Sequence, residues 1–201
     1  MKTGVAIACL ALALPAAAAG KAYQSSFGFT VDIPDNWLAL TKQAIAENPA
    51  LTGEQSTTVG SINPDLLKDI KAKVESGSIE MFFDRTTSDA SFADNVNVLL
   101  KRGQAPDGPD KVKSACDAYP AALAKYAGRA LAVSKCEARD LGATKAFYVE
   151  YEGVVAGTVT MQYQINRPDG QVLYVTATCK RASVDRFTPE FEAIVKSLRF
   201  S

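Results

Sequence analysis

The stretch from residue 131 to residue 180 limits the fold most tightly, because strand-like segments follow one another there with only short links. These segments lie at 131–139, 145–152, 157–166 and 171–180. In the third, apolar and polar residues alternate, with Val159, Met161, Tyr163 and Ile165 set against Thr158, Thr160, Gln162 and Gln164. A period of two indicates strands, and the Pro168-Asp169-Gly170 turn joins the last two segments. The pattern predicts an antiparallel meander.

The rest of the chain alternates further strands with helices. Strands are predicted at 27–34, 79–83 and 96–100, and helices near 37–48, at 63–77, at 110–127 and from Ser183 onward, with a polar loop at 50–62. On the helix at 110–127 a predicted buried stripe consists of Val112, Cys116, Tyr119, Leu123 and Tyr126. Pro120 is expected to bend or divide this helix. Together the elements predict an α+β fold, in which helices cover a mainly antiparallel sheet.

The first nineteen residues have the features of a cleavable signal peptide. Lys2 precedes an apolar run that is shorter than the about 20 residues of a membrane span and ends in small residues. We therefore predict a signal peptide at 1–19 and a single periplasmic or secreted domain at 20–201. Cys9 is not expected to carry a lipid, because the apolar run continues beyond it. No later stretch predicts stable membrane insertion.

The chain contains no histidine. This excludes catalytic Ser-His and Cys-His pairs, and metal sites built on imidazole. The 22 cations balance the 22 anions, and removal of Lys2 leaves 21 cations against 22 anions. Nucleic-acid binding needs a basic excess that this chain lacks. We predict a protein without enzymatic activity, bound cofactor, metal or nucleic-acid partner.

Three cysteines follow the predicted signal peptide: Cys116, Cys136 and Cys179. In an oxidising compartment two of them are expected to pair, and their spacing matches no CxxC motif. We favour Cys116 with Cys136, because this disulfide would fasten a helix to a strand. The two pairings that involve Cys179 remain open, although its strand position predicts a buried thiol.

Both ends of the predicted domain contain segments typical of a known family. Residues 27–37 read Phe-Gly-Phe-Thr-Val-Asp-Ile-Pro-Asp-Asn-Trp. This segment resembles the opening strand and the Pro-x-x-Trp turn of the Mog/PsbP-like family, which includes DcrB-like proteins. The strand at 172–178, the aromatic helix at 187–195 and the closing Ser197-Leu198-Arg199-Phe200 resemble its C-terminal signature. The resemblance implies an α/β/α sandwich over most of residues 23–201 and an exported bacterial member of the family.

The same resemblance implies a role in binding. Family members include accessory proteins of photosystem II, a nuclear protein that binds the GTPase Ran, and an envelope protein linked to phage entry. We therefore predict a non-catalytic accessory or binding module of the periplasm that contacts an envelope protein through a sheet face or through the loops at 50–62 and 84–110. The alternatives are a carrier of a small apolar ligand and, more remotely, a histidine-free hydrolytic enzyme.

A few side chains are candidates for contact with a ligand or partner. The candidates are Trp37, Tyr119 and Tyr148, although each also fits a place in the core. The tyrosines at 119, 126, 148, 151, 163 and 174 would form an aromatic groove if they shared one face. Asp84, Asp89 and Asp94 recur around one polar turn, but their spacing matches no calcium loop, so a solvated turn is favoured.

Overall fold

The computed structural model describes residues 20–52, 64–87, 92–142 and 144–200. The predicted signal peptide at 1–19, and most of the predicted loop at 50–62, lie outside the described residues. The strands are β1 (Gly20–Gln24), β2 (Phe29–Pro34), β3 (Trp37–Leu40), β4 (Glu80–Asp84), β5 (Asn95–Arg102), β6 (Val133–Asp140), β7 (Lys145–Glu152), β8 (Thr158–Asn166), β9 (Gln171–Lys180) and β10 (Arg199–Phe200). The helices are α1 (Lys42–Glu47), α2 (Pro64–Glu75), α3 (Pro109–Ala127) and α4 (Val184–Lys196), with short 3-10 helices at Pro49–Thr52 and Arg181–Ser183.

Seven strands form one antiparallel sheet in the order β3-β4-β5-β9-β8-β7-β6. The predicted meander of β6, β7, β8 and β9 is confirmed, and β5 pairs with β9 to place β8 and β9 near the centre. A smaller antiparallel sheet has the order β1-β2-β10. The predicted α+β fold, with helices on a mainly antiparallel sheet, is therefore confirmed.

The large sheet has two faces of different character. The back face, which bears Val98, Met161 and Val175, packs against α4 and the small sheet. Its core contains Phe187 and Phe191, both fully buried. These residues lie one turn apart on α4, and positions i and i+4 share a helix face, so both rings point to the same side. The opposite side, here called the front face, bears Asn97, Gln162 and Thr176 and carries α1, α2 and α3.

The sequence prediction of a helix beginning near Trp37 is wrong. Residues Trp37–Leu40 form an edge strand paired with β4, and the helix begins only at Lys42. A four-residue apolar run fits either period, so long-range pairing decides its structure. The helix is capped instead by Thr41, whose side-chain oxygen accepts the N–H of Ala44 at 3.2 Å.

Other elements differ from expectation in detail. Helix α3 runs from Pro109 to Ala127 without a break at Pro120, whose exposed position lets water reach the carbonyl left without an N–H partner. Ser183 precedes α4 but makes no side-chain capping bond. Strand β1 was not predicted. In the described part of the chain, no helix combines the length and apolar character needed to cross a membrane.

Strand β1 and its turn are anchored by the buried carboxylate of Glu80 on β4. It accepts hydrogen bonds from the Ser25 hydroxyl at 2.7 Å, the Tyr23 hydroxyl at 3.2 Å, and the backbone N–H and hydroxyl of Ser26 at 2.8 and 2.9 Å. We expect Glu80→Gln to lower the free energy of unfolding by about 2 kcal/mol, because an amide nitrogen would face donors that need an acceptor. Urea unfolding measures this change. The exposed Glu75→Gln should stay within about 0.5 kcal/mol, and an equal loss in both variants would contradict the anchoring role.

Candidate binding groove

Three adjacent strands carry neutral polar side chains on the front face. Alternate residues of a strand point to the same side, so the register of β5, β9 and β8 gathers these side chains into one strip. The strip consists of Asn95, Asn97, Thr160, Gln162, Gln164, Thr176 and Thr178. Amides and hydroxyls are costly to bury beneath an apolar helix. The strip is therefore the part of the sheet that a helix is least able to cover.

Apolar side chains flank the strip on both sides. Towards β3 and β4, Met81 and Phe83 pack beneath the helical layer that contributes Val74. Towards β7, Phe147 and Val149 pack beneath α3. Helices thus cover the two flanks and leave an open groove between them, here called the front groove, of about 530 Å³.

The rim of the front groove is unusually apolar for an exposed surface. Tyr126 at the end of α3 is 80% exposed, and Val154 and Val155 in the β7–β8 connection are 49% and 50% exposed. Among the described residues, these three are the large hydrophobic side chains classed as exposed, and all three line the groove. The predicted burial of Tyr126 is wrong, because α3 packs on the sheet through Tyr119, Leu123 and Ala127, and Tyr126 lies outside these contacts. Exposed apolar groups gathered at one polar groove mark a binding surface.

A hydrogen-bond network organises the floor. The Gln162 carbonyl oxygen accepts from the Tyr119 hydroxyl at 3.3 Å and from the Gln164 amide at 2.9 Å. The Gln162 amide donates to the Thr176 hydroxyl at 3.0 Å. Gln162 is therefore held in one orientation, and it links the floor to the wall formed by α3.

The wall is held at two points. The Cys116–Cys136 disulfide, with its Cα atoms 5.6 Å apart, ties α3 to the edge strand β6. Beyond the end of α3, the Arg129 guanidinium donates to the carbonyl oxygens of Gly153 and Val154 at 3.3 and 3.4 Å. The helix and the apolar rim thus form one connected frame around the floor.

Charge is sparse in the groove. Among the described residues that line it, Lys101 is the one charged side chain, and its Nζ lies 5.2 Å from the centre of the Tyr174 ring. Burial raises the pKa of Tyr119 above its ordinary value and that of Tyr151 to about 12. The phenols therefore remain neutral hydroxyl groups under physiological conditions. The groove suits an uncharged polar ligand better than a cation.

The structure places only one of the three named candidate contact residues in this groove. Tyr119 lines it, whereas Trp37 and Tyr148 are buried on the back face. The Trp37 indole N–H donates to Glu190 at 2.8 Å, and its ring lies 5.5 Å from that of Phe187. The Tyr148 hydroxyl donates to a Glu150 oxygen at 2.9 Å.

The aromatic groove suggested by the tyrosines is present in part. Tyr119, Tyr126, Tyr151 and Tyr174 line the front groove, whereas Tyr148 and Tyr163 are on the back face. The two sets differ by strand parity: Tyr151 and Tyr174 pair with front-face positions of neighbouring strands. The sequence analysis did not predict the polar floor, although the alternating Thr and Gln residues on β8 indicate that one face of this strand is polar.

Cys179 is fully buried on the back face. Burial raises the pKa of its thiol to about 12, so the reactive thiolate is scarce near neutral pH. We expect iodoacetamide at about pH 8 to leave Cys179 unmodified in the folded chain and to modify it after unfolding in urea. Mass spectrometry of the Cys179 peptide provides the measurement. Equal labelling in both states would show that the thiol is accessible.

The prediction of a solvated acidic turn is wrong for Asp84 and Asp94, which form a buried ion cluster with an arginine. Asp84 and Asp94 are both buried, and the Arg186 guanidinium lies 2.8 Å from Asp84 Oδ2 and 3.8 Å from Asp94 Oδ2. Asp89 lies outside the described residues. Within the described ranges, no group of three or more acidic or cysteine side chains is arranged to hold a metal ion.

Solved structures share this fold. The cyanobacterial PsbP protein (CyanoP) from Synechocystis sp. PCC 6803 has a TM-score of 0.55 and 11% identity, covering 96% of this chain and 98% of that chain. The Ran-binding protein Mog1p from Saccharomyces cerevisiae has a TM-score of 0.47 and 8% identity, covering 90% and 95%. Protein PA94 of unknown function from Pseudomonas aeruginosa has a TM-score of 0.47 and 15% identity, covering 90% and 97%. The match to CyanoP shows that the chain has a PsbP-like fold.

No protein-family model matches the chain, and no curated protein matches it in sequence. At the identities of the structural matches, the likeness concerns the fold alone. Function has to be argued from the groove, because one fold hosts many functions.

Proposed function

We propose that this chain is an exported, non-catalytic binding module that holds an envelope partner in the front groove. One observation carries the proposal: Tyr126, Val154 and Val155, the exposed large hydrophobic residues of the described chain, surround the same polar floor. Apolar groups that remain in water on a rigid frame are typical of a surface that is covered when a partner binds.

Two features support export. The first nineteen residues combine Lys2, an apolar run and small residues before the start of β1 at Gly20. The Cys116–Cys136 disulfide is of a kind that persists in oxidising compartments such as the periplasm.

The chemistry of the groove supports binding rather than catalysis. Its floor offers amides and hydroxyls, which are not ionisable near neutral pH and so do not serve as a general acid or base. Hydrolysis by paired carboxylates would need two acidic side chains across a cleft, and the described residues that line the groove include none. A carrier of apolar ligands would leave the floor without hydrogen-bond partners, so that alternative is disfavoured.

The test compares capture of envelope components by the full chain and by a rim variant. The C-terminally tagged protein is mixed with extract of its own cell envelope, lightly cross-linked and recovered. We expect Tyr126→Ser to reduce the retained material by about fivefold, because Tyr126 would be a central contact of the rim. The neighbouring Lys125→Ser, on the same exposed turn of α3 but outside the groove lining, controls for helix propensity. Capture that is unchanged by Tyr126→Ser would overturn the proposal.

A further inference from the structure

We infer that the front groove binds an uncharged saccharide chain of the cell envelope. This inference rests on the proposed function, because it names the ligand class of the same groove. Three properties of the described residues carry it: unused hydrogen-bonding capacity on the floor, accessible aromatic rings at the wall and on the floor, and the near absence of charge.

The floor offers donors and acceptors side by side. The Asn97 amide has no side-chain partner among the described residues, and Gln164 uses one amide hydrogen towards Gln162 and keeps its carbonyl oxygen. The Thr176 hydroxyl accepts from Gln162, so its own hydrogen remains free to donate. A hydroxyl group both donates and accepts. A polyhydroxylated ligand can therefore satisfy all of these groups at once.

The alternatives match this floor less well. The backbone groups of a helical peptide are already paired within the helix, so a helix would offer the floor only scattered side chains. An extended peptide satisfies its backbone best at a sheet edge, where it adds a strand. The front groove lies on a sheet face, with β5, β9 and β8 already paired on both sides.

Tyrosine rings supply the apolar half of the site. Tyr126 is mostly exposed at one side of the groove, and Tyr174 is partly exposed on the floor. The face of an aromatic ring is negative, so it attracts the weakly positive C–H groups on the flat side of a sugar ring. One ligand with hydroxyl edges and C–H faces thus matches both the floor and the wall.

Charge and length narrow the ligand class further. Among the described residues that line the groove, Lys101 is the one charged residue. None of these residues offers a carboxylate to a cationic ligand. From Asn95 to Lys101 the floor extends for about 20 Å along β5, at about 3.3 Å per residue. The volume of about 530 Å³ is in the ordinary range of ligand sites, and the length along β5 suits a short stretch of a chain that lies parallel to this strand.

The test uses extract of the organism's own cell envelope as the probe, in three portions. One portion is untreated, one is digested with protease that is then inactivated, and one is treated with periodate, which cleaves vicinal diols, and then quenched. Binding to the immobilised full chain is measured by interferometry. We expect the signal to survive protease treatment and to be lost after periodate treatment.

Variants show whether the signal belongs to the groove. Asn97→Ala removes an amide that has no internal partner, so the fold should be unaffected, and Gln162→Leu removes the centre of the network. Each should weaken binding by about fivefold, the effect of losing one hydrogen bond. Gln43→Leu, an exposed glutamine on α1, is the matched control and should leave binding unchanged.

The remaining outcomes separate the two proposals. A signal that protease abolishes and periodate spares, but that still depends on Asn97 and Gln162, would overturn the saccharide ligand and leave the binding module intact, with a protein as its partner. A signal that no groove variant alters, or no signal from any portion, would overturn both.

Discussion

Replacing Arg186 with methionine is expected to lower the free energy of unfolding by about 3 kcal/mol near neutral pH. Asp84 and Asp94 are both fully buried on the back side of the domain, and Arg186 is the cation beside them. Asp94 Oδ1 accepts the backbone N–H of Lys180 at 2.8 Å, whereas Asp94 Oδ2 has no hydrogen-bond partner in the described structure and lies 3.8 Å from this guanidinium. Arg186 is itself 47% exposed, and water can reach the cluster from that side. The expected loss is therefore at the lower end for a broken buried pair.

The same cluster predicts how stability depends on pH. Burial acts to raise the pKa of Asp84, but the hydrogen bonds from Thr86 and Arg186 outweigh it and hold the pKa below its ordinary value. A carboxyl with a lowered pKa in the folded state contributes stability above its unfolded pKa of about 3.9, and this is lost as the pH falls through the folded value. The Arg186→Met substitution removes the hydrogen bond and the positive charge through which Arg186 lowers the pKa of Asp84. The difference between the variant and the natural protein should therefore be smaller at about pH 3, below the unfolded pKa, than near neutrality.

Urea unfolding followed by circular dichroism at both pH values provides the measurement. Arg181→Met is the control, because Arg181 is exposed and makes no ion pair among the described residues; it should change stability by less than about 0.5 kcal/mol. If Arg186→Met proved as mild as Arg181→Met, Arg186 would not be required to balance the two aspartates.

The sequence predicted the elements whose periodicity is local. Strand β8 alternates over nine residues, and α4 repeats apolar residues over thirteen, so both bounds of β8 and the start of α4 were predicted within a residue. Residues Trp37–Leu40 form only four residues of strand and depend on pairing with β4. Strand β1 has one partly buried residue, Tyr23, and so shows no alternation to detect. Its structure depends on β2 and on Glu80, which lies more than fifty residues away.

The groove was harder to predict than the fold. The sequence shows which strand positions are polar, but Asn97, Gln162 and Thr176 become neighbours only through the strand order β5-β9-β8. The strand order depends on pairing between distant segments, and the local alternation of polar and apolar residues does not reveal it. For the same reason, the sequence did not distinguish Tyr119, which borders the groove, from Tyr148, which is buried on the opposite face.

Loss of the disulfide is expected to lower the free energy of unfolding by about 3 kcal/mol in the Cys116→Ala/Cys136→Ala variant. The two cysteines are 20 residues apart, and opening a loop of this size restores conformational entropy to the unfolded chain. The groove should respond as well, because Tyr119 lies one turn beyond Cys116 and donates to Gln162. Once α3 is no longer fastened to β6, the wall should become mobile and the binding of envelope extract should weaken.

Reduction of the natural protein with dithiothreitol is the control for this variant, because it opens the same bond without changing a side chain. Both should shift the urea midpoint by a similar amount and weaken binding together. Gln162→Leu separates the two effects: it should weaken binding by about fivefold while the disulfide remains formed. If reduction lowered stability and left binding unchanged, the disulfide would support the fold alone, and the groove wall would be held by Leu123 and the contacts of Arg129.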